Sequence, residues 1–309
     1  MQIGMVGLGR MGMNMAARLV KGGHEVVAYD MSGATVKRAV RQGAKGAGTL
    51  EELAGRLSKP RTVWMMVPAG KPVDDTVEAL GRLLGKGDTV VDGGNSYYKD
   101  AVRREALLRK SGINFMDVGV SGGIWGLKEG YCLMAGGDEK AYRRLLPALK
   151  SLAPKDGYLY CGPSGAGHFV KMVHNGIEYG LMSAYGEGFD MLNASQYKDG
   201  LDYAKVSRLW NRGSVIRSWL LELAGDAFEK DPSLSGIEPF VEDTGEGRWT
   251  VQQAVDFAVP APVIASALFQ RFRSRGNGAF SDRLLAALRN EFGGHAVKST
   301  KGKKGGPTK

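Results

Sequence analysis

Between Gly165 and Tyr179 the chain reads GAGHFVKMVHNGIEY, and five of its polar residues, Lys171, His174, Asn175, Glu178 and Tyr179, recur at intervals of three and four or adjoin such a position. On a helix turning about 100° per residue these positions lie on or near one face, so the spacing predicts one polar stripe beside apolar core positions. Lys171 and Glu178 would stand two turns, roughly 10 Å, apart along the axis. That is too far for an i,i+4 ion pair and suits a base and an acid serving different atoms of one bound molecule. A lysine acting as base must be neutral, and burial or nearby positive charge moves its pKa down as required. Beside a hydride acceptor, Lys171 would take the hydroxyl proton of a secondary alcohol as hydride leaves the carbon. Were a carboxylate β to the new ketone, loss of carbon dioxide would leave an enediol, and Glu178 would be the acid that protonates it. An ordinary solvated helix face carries similar residues; the glycines ahead of Lys171 and the chain upstream set this one apart.

Upstream, the strand-like QIGMV runs into Gly7-Leu8-Gly9-Arg10-Met11-Gly12, followed by the helix-compatible MNMAARLVK and by Gly22-Gly23. A GxGxxG at a strand-to-helix turn permits a tight turn, close backbone approach to a pyrophosphate, and close helix–strand packing. Among 46 glycines the string alone is weak, but here Asp30 ends the next strand, 18 residues after Gly12. That placement within a βαβ unit points to a dinucleotide. A carboxylate at position 30 accepts hydrogen bonds from both ribose hydroxyls and repels a 2′-phosphate. Met31 supplies no cation, so NAD is the expected cofactor, with NADP weaker and dependent on Lys37 or Arg38.

The first half alternates short β-branched runs with helical stretches, the pattern of a parallel sheet covered on both faces. Strands are expected at Gln2–Val6, Glu25–Asp30, Thr62–Val67, Thr89–Asp92, Asn114–Val118 and Tyr131–Ala135, joined by right-handed crossovers. After the turn-rich Cys161–Gly167, long amphipathic segments take over. The expected organisation is an α/β Rossmann-type doubly wound domain over 1–164, an all-α domain over 165–295, and a disordered basic tail over 296–309.

With 309 residues, 43% of them hydrophobic and 24% charged, the chain suits about two soluble domains. No run approaches the roughly 18 apolar residues of a membrane helix. The start MQIGMVGLGRMG lacks signal-peptide features, so the expected compartment is the cytoplasm, with no membrane partner. Cys132 and Cys161 show neither a disulfide framework nor metal-ligand spacing and read as reduced packing residues. The net charge of +10 falls to +5 once the five lysines of residues 296–309 are set aside. That excess suits an anionic substrate and a pyrophosphate better than nucleic acid.

These strings resemble a known family. GLGRMGMNMAARL, the Asp117-Val-Gly-Val-Ser121-Gly122-Gly123 run and the Lys171-x-x-x-Asn175 core are similar to the β-hydroxyacid dehydrogenase superfamily. HFVKMVHNGIEYG, Asp92-Gly-Gly-Asn95-Ser96-Tyr97, Arg212-Gly-Ser-Val-Ile-Arg217-Ser and Gly245–Thr250 (GEGRWT) narrow the resemblance to the 6-phosphogluconate dehydrogenases in their short form, over residues 1 to about 295. The resemblance implies metal-independent oxidative decarboxylation of 6-phosphogluconate to ribulose 5-phosphate. It makes Lys171 the general base and Glu178 the general acid, with Asn175 and His174 on the sugar hydroxyls. Ser121, Gly122 and Gly123 would receive the carboxylate end; Met11, Asn95 and the loop of Val67, Pro68 and Ala69 would border the nicotinamide. Tyr179 and Arg271 match positions that bind the phosphate, for which an arginine fork is well shaped. Arg289 and His295 match a terminal motif that reaches the active site of a neighbouring subunit, implying a homo-oligomer, dimer or tetramer.

The chain departs from many relatives at Thr244, beside Asp243, where lysine is common, and at Glu246, where a phosphate-contacting threonine is common; neither is counted in the expected site. Two other readings stay open on sequence alone. One is a sister β-hydroxyacid dehydrogenase acting on 3-hydroxyisobutyrate or tartronate semialdehyde, which would need neither Glu178 nor Arg271 and Arg289. The other is a nucleic-acid-binding protein using the lysine tail, whose binding would fall steeply with salt.

Overall fold

The computed structural model describes residues 1–276, 280–281, 283–284 and 287–288. In chain order the elements are β1 (Gln2–Val6), α1 (Arg10–Lys21), β2 (Glu25–Tyr29), α2 (Gly33–Arg41), β3 (Lys45–Gly46), α3 (Leu50–Gly55), β4 (Thr62–Met65), α4 (Lys71–Leu83), β5 (Thr89–Asp92), α5 (Tyr98–Arg109), β6 (Asn114–Ser121), α6 (Gly126–Glu129), β7 (Cys132–Gly137), α7 (Glu139–Leu152), β8 (Tyr158–Gly162), α8 (Ala166–Ala194), α9 (Tyr203–Trp210), α10 (Trp219–Lys230), α11 (Glu246–Asp256) and α12 (Pro262–Ser274).

The central strands read as unbroken apolar runs because both their faces are buried. Successive side chains point to opposite sides: Val63, Met65, Val90 and Phe115 enter one core with Leu53 of α3, Val77 and Leu80 of α4 and Leu108 of α5. Trp64, Val91 and Met116 enter the other, with Met15 and Leu19 of α1 and Leu145 and Leu149 of α7. The sheet order is β3-β2-β1-β4-β5-β6-β7-β8, parallel from β3 to β6. The chain winds outward from β1 one way to β3 and the other way from β4. The crevice beyond the carboxyl ends of β1 and β4 is where such sheets bind ligands.

The all-parallel expectation fails at β7, which runs antiparallel to β6 with Ser121 opposite Cys132. Only residues 122–131 join the two strands, too few for a crossover. β8 then pairs parallel with β7, and neither it nor the two-residue β3 stood out from the alternation. Both cysteines are free; Cys161 is half-buried, but Cys132 is exposed at the start of β7, so it does not pack as expected.

Residues Met1–Glu178 with Gly245–Val259 form one compact unit, and Tyr179–Thr244 with the chain from Pro260 onward forms a second. The expected division at 164/165 is the β8–α8 junction, whereas the packing divides within α8. The start of α8 stays with the sheet because Gly167 allows it close: a Cβ there would lie 2.4 Å from the carbonyl oxygens of Asp117 and Met134. α11 belongs to the same unit through a hydrogen bond from the Tyr98 hydroxyl to Gln253 and the Tyr97 and Trp249 rings, 5.2 Å apart. In the second unit, Phe189 of α8 packs among Tyr203, Trp210 and Phe228. No helix among the described residues is long and apolar enough to cross a membrane. Arg289, His295 and the basic tail lie outside the described residues.

Candidate active site

The turn from β1 into α1 has the shape a pyrophosphate needs. Gly7 holds φ of +86°, and a Cβ on Gly12 would sit 2.0 Å from the Gly7 carbonyl oxygen, so neither position accepts a larger residue in place. A Cβ on Gly9 would meet nothing within 4 Å, so the space over the turn is open. The first turn of α1 carries no acidic side chain, leaving its N–H groups and positive dipole end available to an anion. Asp30 follows β2; its Oδ2 accepts from the Leu8 N–H at 2.7 Å and its Oδ1 from the Ser32 N–H at 2.9 Å. Those two bonds hold the carboxylate beside the turn.

A cleft of about 830 Å³ opens here, lined by Gly7, Gly9, Arg10, Met11, Gly12 and Asp30. Val67, Pro68 and Asn95 line it further along, together with Met66, Gly93 and Gly94, which the sequence had not singled out. Leu8 is buried and contributes its N–H to Asp30 rather than a wall. Ala69 is exposed and does not line the cleft. Met31, which also lines the cleft, is 95% exposed and itself supplies no cation next to Asp30. These residues fit NAD: glycine turn and helix end for the pyrophosphate, carboxylate for the ribose.

The polar stripe lies on α8 where that helix touches β6. A Cβ on Gly119 would come within 2.3 Å of the Lys171 Cβ, so the lysine stem lies directly on the strand because position 119 is bare. Lys171 Nζ donates to Asn175 Oδ1 at 2.6 Å and lies 3.4 Å from His174 Nδ1. His174 Nδ1 is 3.1 Å from Asn175 Oδ1 and 3.8 Å from Glu178 Oε2, and its Nε2 is 3.4 Å from Ser121 Oγ. With its proton on Nδ1 the ring donates to Asn175 and accepts from Ser121. The helix face thus joins the Lys171, His174 and Glu178 side chains to the end of β6, where Gly122 and Gly123 follow. Burial pushes the Lys171 ammonium below the ordinary lysine range, and the Glu178 and Glu246 carboxylates oppose the shift without cancelling it.

Glu246 is a group that the sequence reading named but left out of the expected site. It is 2% exposed at the start of α11. The Thr250 hydroxyl lies 2.8 Å from both the Met172 and Glu246 carbonyl oxygens, pinning the first turn of α11 to α8 beside Lys171. The only sequence signal was its place in GEGRWT.

In the second unit, the Arg271 guanidinium stacks 3.4 Å above the centre of the Tyr179 ring and donates to the Glu242 carbonyl at 2.9 Å. Tyr179 is 5% exposed, and its buried hydroxyl has no hydrogen-bond partner among the described residues. A stacked guanidinium beside an unpaired phenol is a donor set suited to phosphate oxygens.

Residues 2–162 match the model of the NAD binding domain of 6-phosphogluconate dehydrogenase. Residues 167–278 match that of the 6-phosphogluconate dehydrogenase C-terminal domain. The chain is 45% identical over 299 residues to an NAD(+)-dependent, decarboxylating 6-phosphogluconate dehydrogenase of Haloferax volcanii, covering 96% of this chain and 98% of that one. A Bacillus subtilis enzyme of the same description is 37% identical over 286 residues, 88% of this chain but 61% of the longer relative. Among solved structures, a Plasmodium falciparum 6-phosphogluconate dehydrogenase, studied apo, with NADP+ and with 6-phosphogluconate, superposes with a TM-score of 0.81 at 29% identity, covering 98% of this chain and 67% of that one. With family models over both halves and near-full-length identity to a short relative, the chain belongs to the 6-phosphogluconate dehydrogenase family.

Proposed function

We propose that this chain converts 6-phosphogluconate to ribulose 5-phosphate and carbon dioxide, with NAD as hydride acceptor and NADP less favoured. The observation that carries this reading is Lys171, laid on Gly119, hydrogen-bonded to Asn175 and displaced toward its neutral form by burial. Bound NAD supplies an acceptor for the hydride released from the substrate. Lys171 Nζ takes the proton of the hydroxyl on the carbon β to the carboxylate, while Asn175 and His174 hold the neighbouring hydroxyls. The resulting β-ketoacid loses carbon dioxide, its C–C electron pair entering an enediol as protonated Lys171 gives its proton back to the former ketone oxygen. Glu178 delivers a proton to the carbon that bore the carboxylate, and the enediol hydroxyl proton returns to the base. Ser121, Gly122 and Gly123 receive the carboxylate end, and Tyr179 with Arg271 receives the phosphate. A small unphosphorylated hydroxyacid would leave both Arg271 and Glu178 without work, which disfavours the sister dehydrogenases.

The test is stoichiometry. With purified protein and chelator present, NADH and carbon dioxide are expected in equal yield, with kcat/KM higher for NAD than NADP because Asp30 repels the 2′-phosphate. Turnover confined to an unphosphorylated hydroxyacid would sink the substrate assignment, and a strong NADP bias would sink the cofactor assignment.

We further infer a cytoplasmic homo-oligomer in which Arg289 and His295 complete a neighbouring subunit's site. The second unit leaves large apolar side chains exposed, among them Val215 at 100%, Met191 at 74% and Val263 at 68% exposure, which a neighbouring subunit would cover. Mixing inactive Lys171→Ala and His295→Ala subunits is expected to restore part of the activity, since a mixed oligomer holds some sites with both residues. No recovery after verified subunit exchange would count against the shared site.

A further inference from the structure

Asp92 and Asp117, so far only letters in two family strings, are both wholly buried, at the end of β5 and within β6. Two basic side chains share their space: Arg104 of α5 and His168 of the first turn of α8, each 1% exposed. Asp92 Oδ2 lies 3.4 Å from Arg104 Nη1 and 3.5 Å from His168 Nε2, while Asp92 Oδ1 accepts from the Gly94 N–H at 3.1 Å. Asp117 caps the start of α8, accepting from the N–H groups of Gly165 at 2.7 Å and His168 at 2.9 Å. Arg104 extends the network toward the loop before α4, donating to Asp74 at 2.8 Å and reaching the Gly70 carbonyl at 3.5 Å.

Two buried carboxylates and one buried guanidinium sum to one negative charge, and leaving a buried charge uncompensated is costly. A protonated His168 brings these four to neutrality, while the part-exposed Asp74 and Asp100, 2.8 and 3.9 Å from Arg104, add negative charge toward solvent. The cluster also lies between the two parts of the site: Gly93, Gly94 and Asn95 line the cofactor cleft, and Lys171 stands one turn after His168.

We propose that His168 is held as an imidazolium and acts as a positioning residue for hydride transfer, tying the Gly93–Asn95 loop to the helical turn that carries Lys171. This rests on the reading of Lys171 as base and of the cleft as the NAD site. Burial works against the charge on His168, but the carboxylates of Asp92 and Asp117 outweigh it and Arg104, raising its pKa above the ordinary histidine range. Asp92, despite burial that would raise it, is held below the usual carboxylate range by His168, Ser96 and Arg104. For a histidine raised on folding, the stabilisation is fully present below the ordinary histidine pKa. It is lost as pH climbs through the raised one.

The experiment has two parts. Ring-nitrogen NMR on the full chain labelled at histidine resolves only four rings, His24, His168, His174 and His295, assigned by substituting the other three in turn. The His168 ring is expected to be doubly protonated at pH 8; a neutral ring there overturns the proposal. His168→Gln keeps a donor toward Asp92 and drops the charge. Assayed well below its Tm, it is expected to lose about 10- to 100-fold in kcat with KM for NAD and substrate nearly unchanged. The primary deuterium isotope effect from substrate deuterated at the oxidised carbon should rise. Wild-type kcat and isotope effect in the folded variant would overturn the proposal. If the variant does not fold, the wild-type ring titration decides. If wild-type protein fails to oxidise 6-phosphogluconate, the functional reading falls, while the ring titration still reports on His168.

Discussion

Lys171→Met is expected to lower kcat with 6-phosphogluconate by about 10³- to 10⁴-fold, near the upper range for loss of a general base, while NAD binding changes by less than about twofold. The cofactor turn is built at the β1–α1 junction and at Asp30, and the hydrogen bonds of Lys171 run instead to its own helix. In the parent protein, kcat/KM should fall on the acid side as Lys171 gains its proton, and that limb should lie below the ordinary lysine range because burial has moved the group down. The same shift carries a second expectation, about stability. Between the lowered folded pKa and the ordinary lysine value, the unfolded chain binds a proton that the folded chain does not, so stability rises with pH through that window. Methionine has a similar stem and nothing to desolvate, so its Tm should rise as activity disappears. NADH absorbance, cofactor titration and a thermal melt read all three; a variant with more than a tenth of parental kcat removes Lys171 from the role of base.

Glu178→Gln should slow formation of ribulose 5-phosphate by about 10²-fold or more, the scale of a lost general acid. The amide keeps the size of the side chain and its approach to His174, where the carboxylate now stands 3.8 Å from Nδ1, but it delivers no proton. The informative readout is where deuterium goes when the reaction runs in heavy water. The parent enzyme should place one deuterium on a single face of the new C1, because a fixed acid approaches from one side. Residual turnover in Glu178→Gln should label both faces, since solvent must now protonate the enediol. Single-faced labelling at the parental rate would mean that another group is the acid.

Much of this arrangement could be read in advance where one residue type has one physical use. The GxGxxG turn and Asp30 were legible because the backbone conformation and the ribose contact admit few alternatives. The lysine stripe was legible because spacing on a long helix survives whatever packs around it. Less legible were features set by distant partners. β7 is as apolar as its neighbours, and only the short link 122–131 betrays its reversed direction. α11 looks like any amphipathic segment of the helical half, yet Thr250 and Trp249 attach it to the sheet-bearing unit. Glu246 reads in sequence as one more acid at a helix start, and its burial beside Lys171 depends on that attachment. His168 had no titratable neighbour within three residues except Lys171, and its true partners come from β5, β6 and α5.

Gly119 carries a lesson for anyone transplanting this chemistry. Lys171 owes its placement to a missing methyl group on a strand more than fifty residues earlier in the chain. A grafted copy of the helix on another scaffold would bring every reactive atom and still aim them wrongly. The portable unit is the helix with its own bare Gly167 together with the bare strand backbone that receives it at Gly119. Random drift toward alanine at either of these sites would blunt the enzyme while leaving its list of reactive side chains intact.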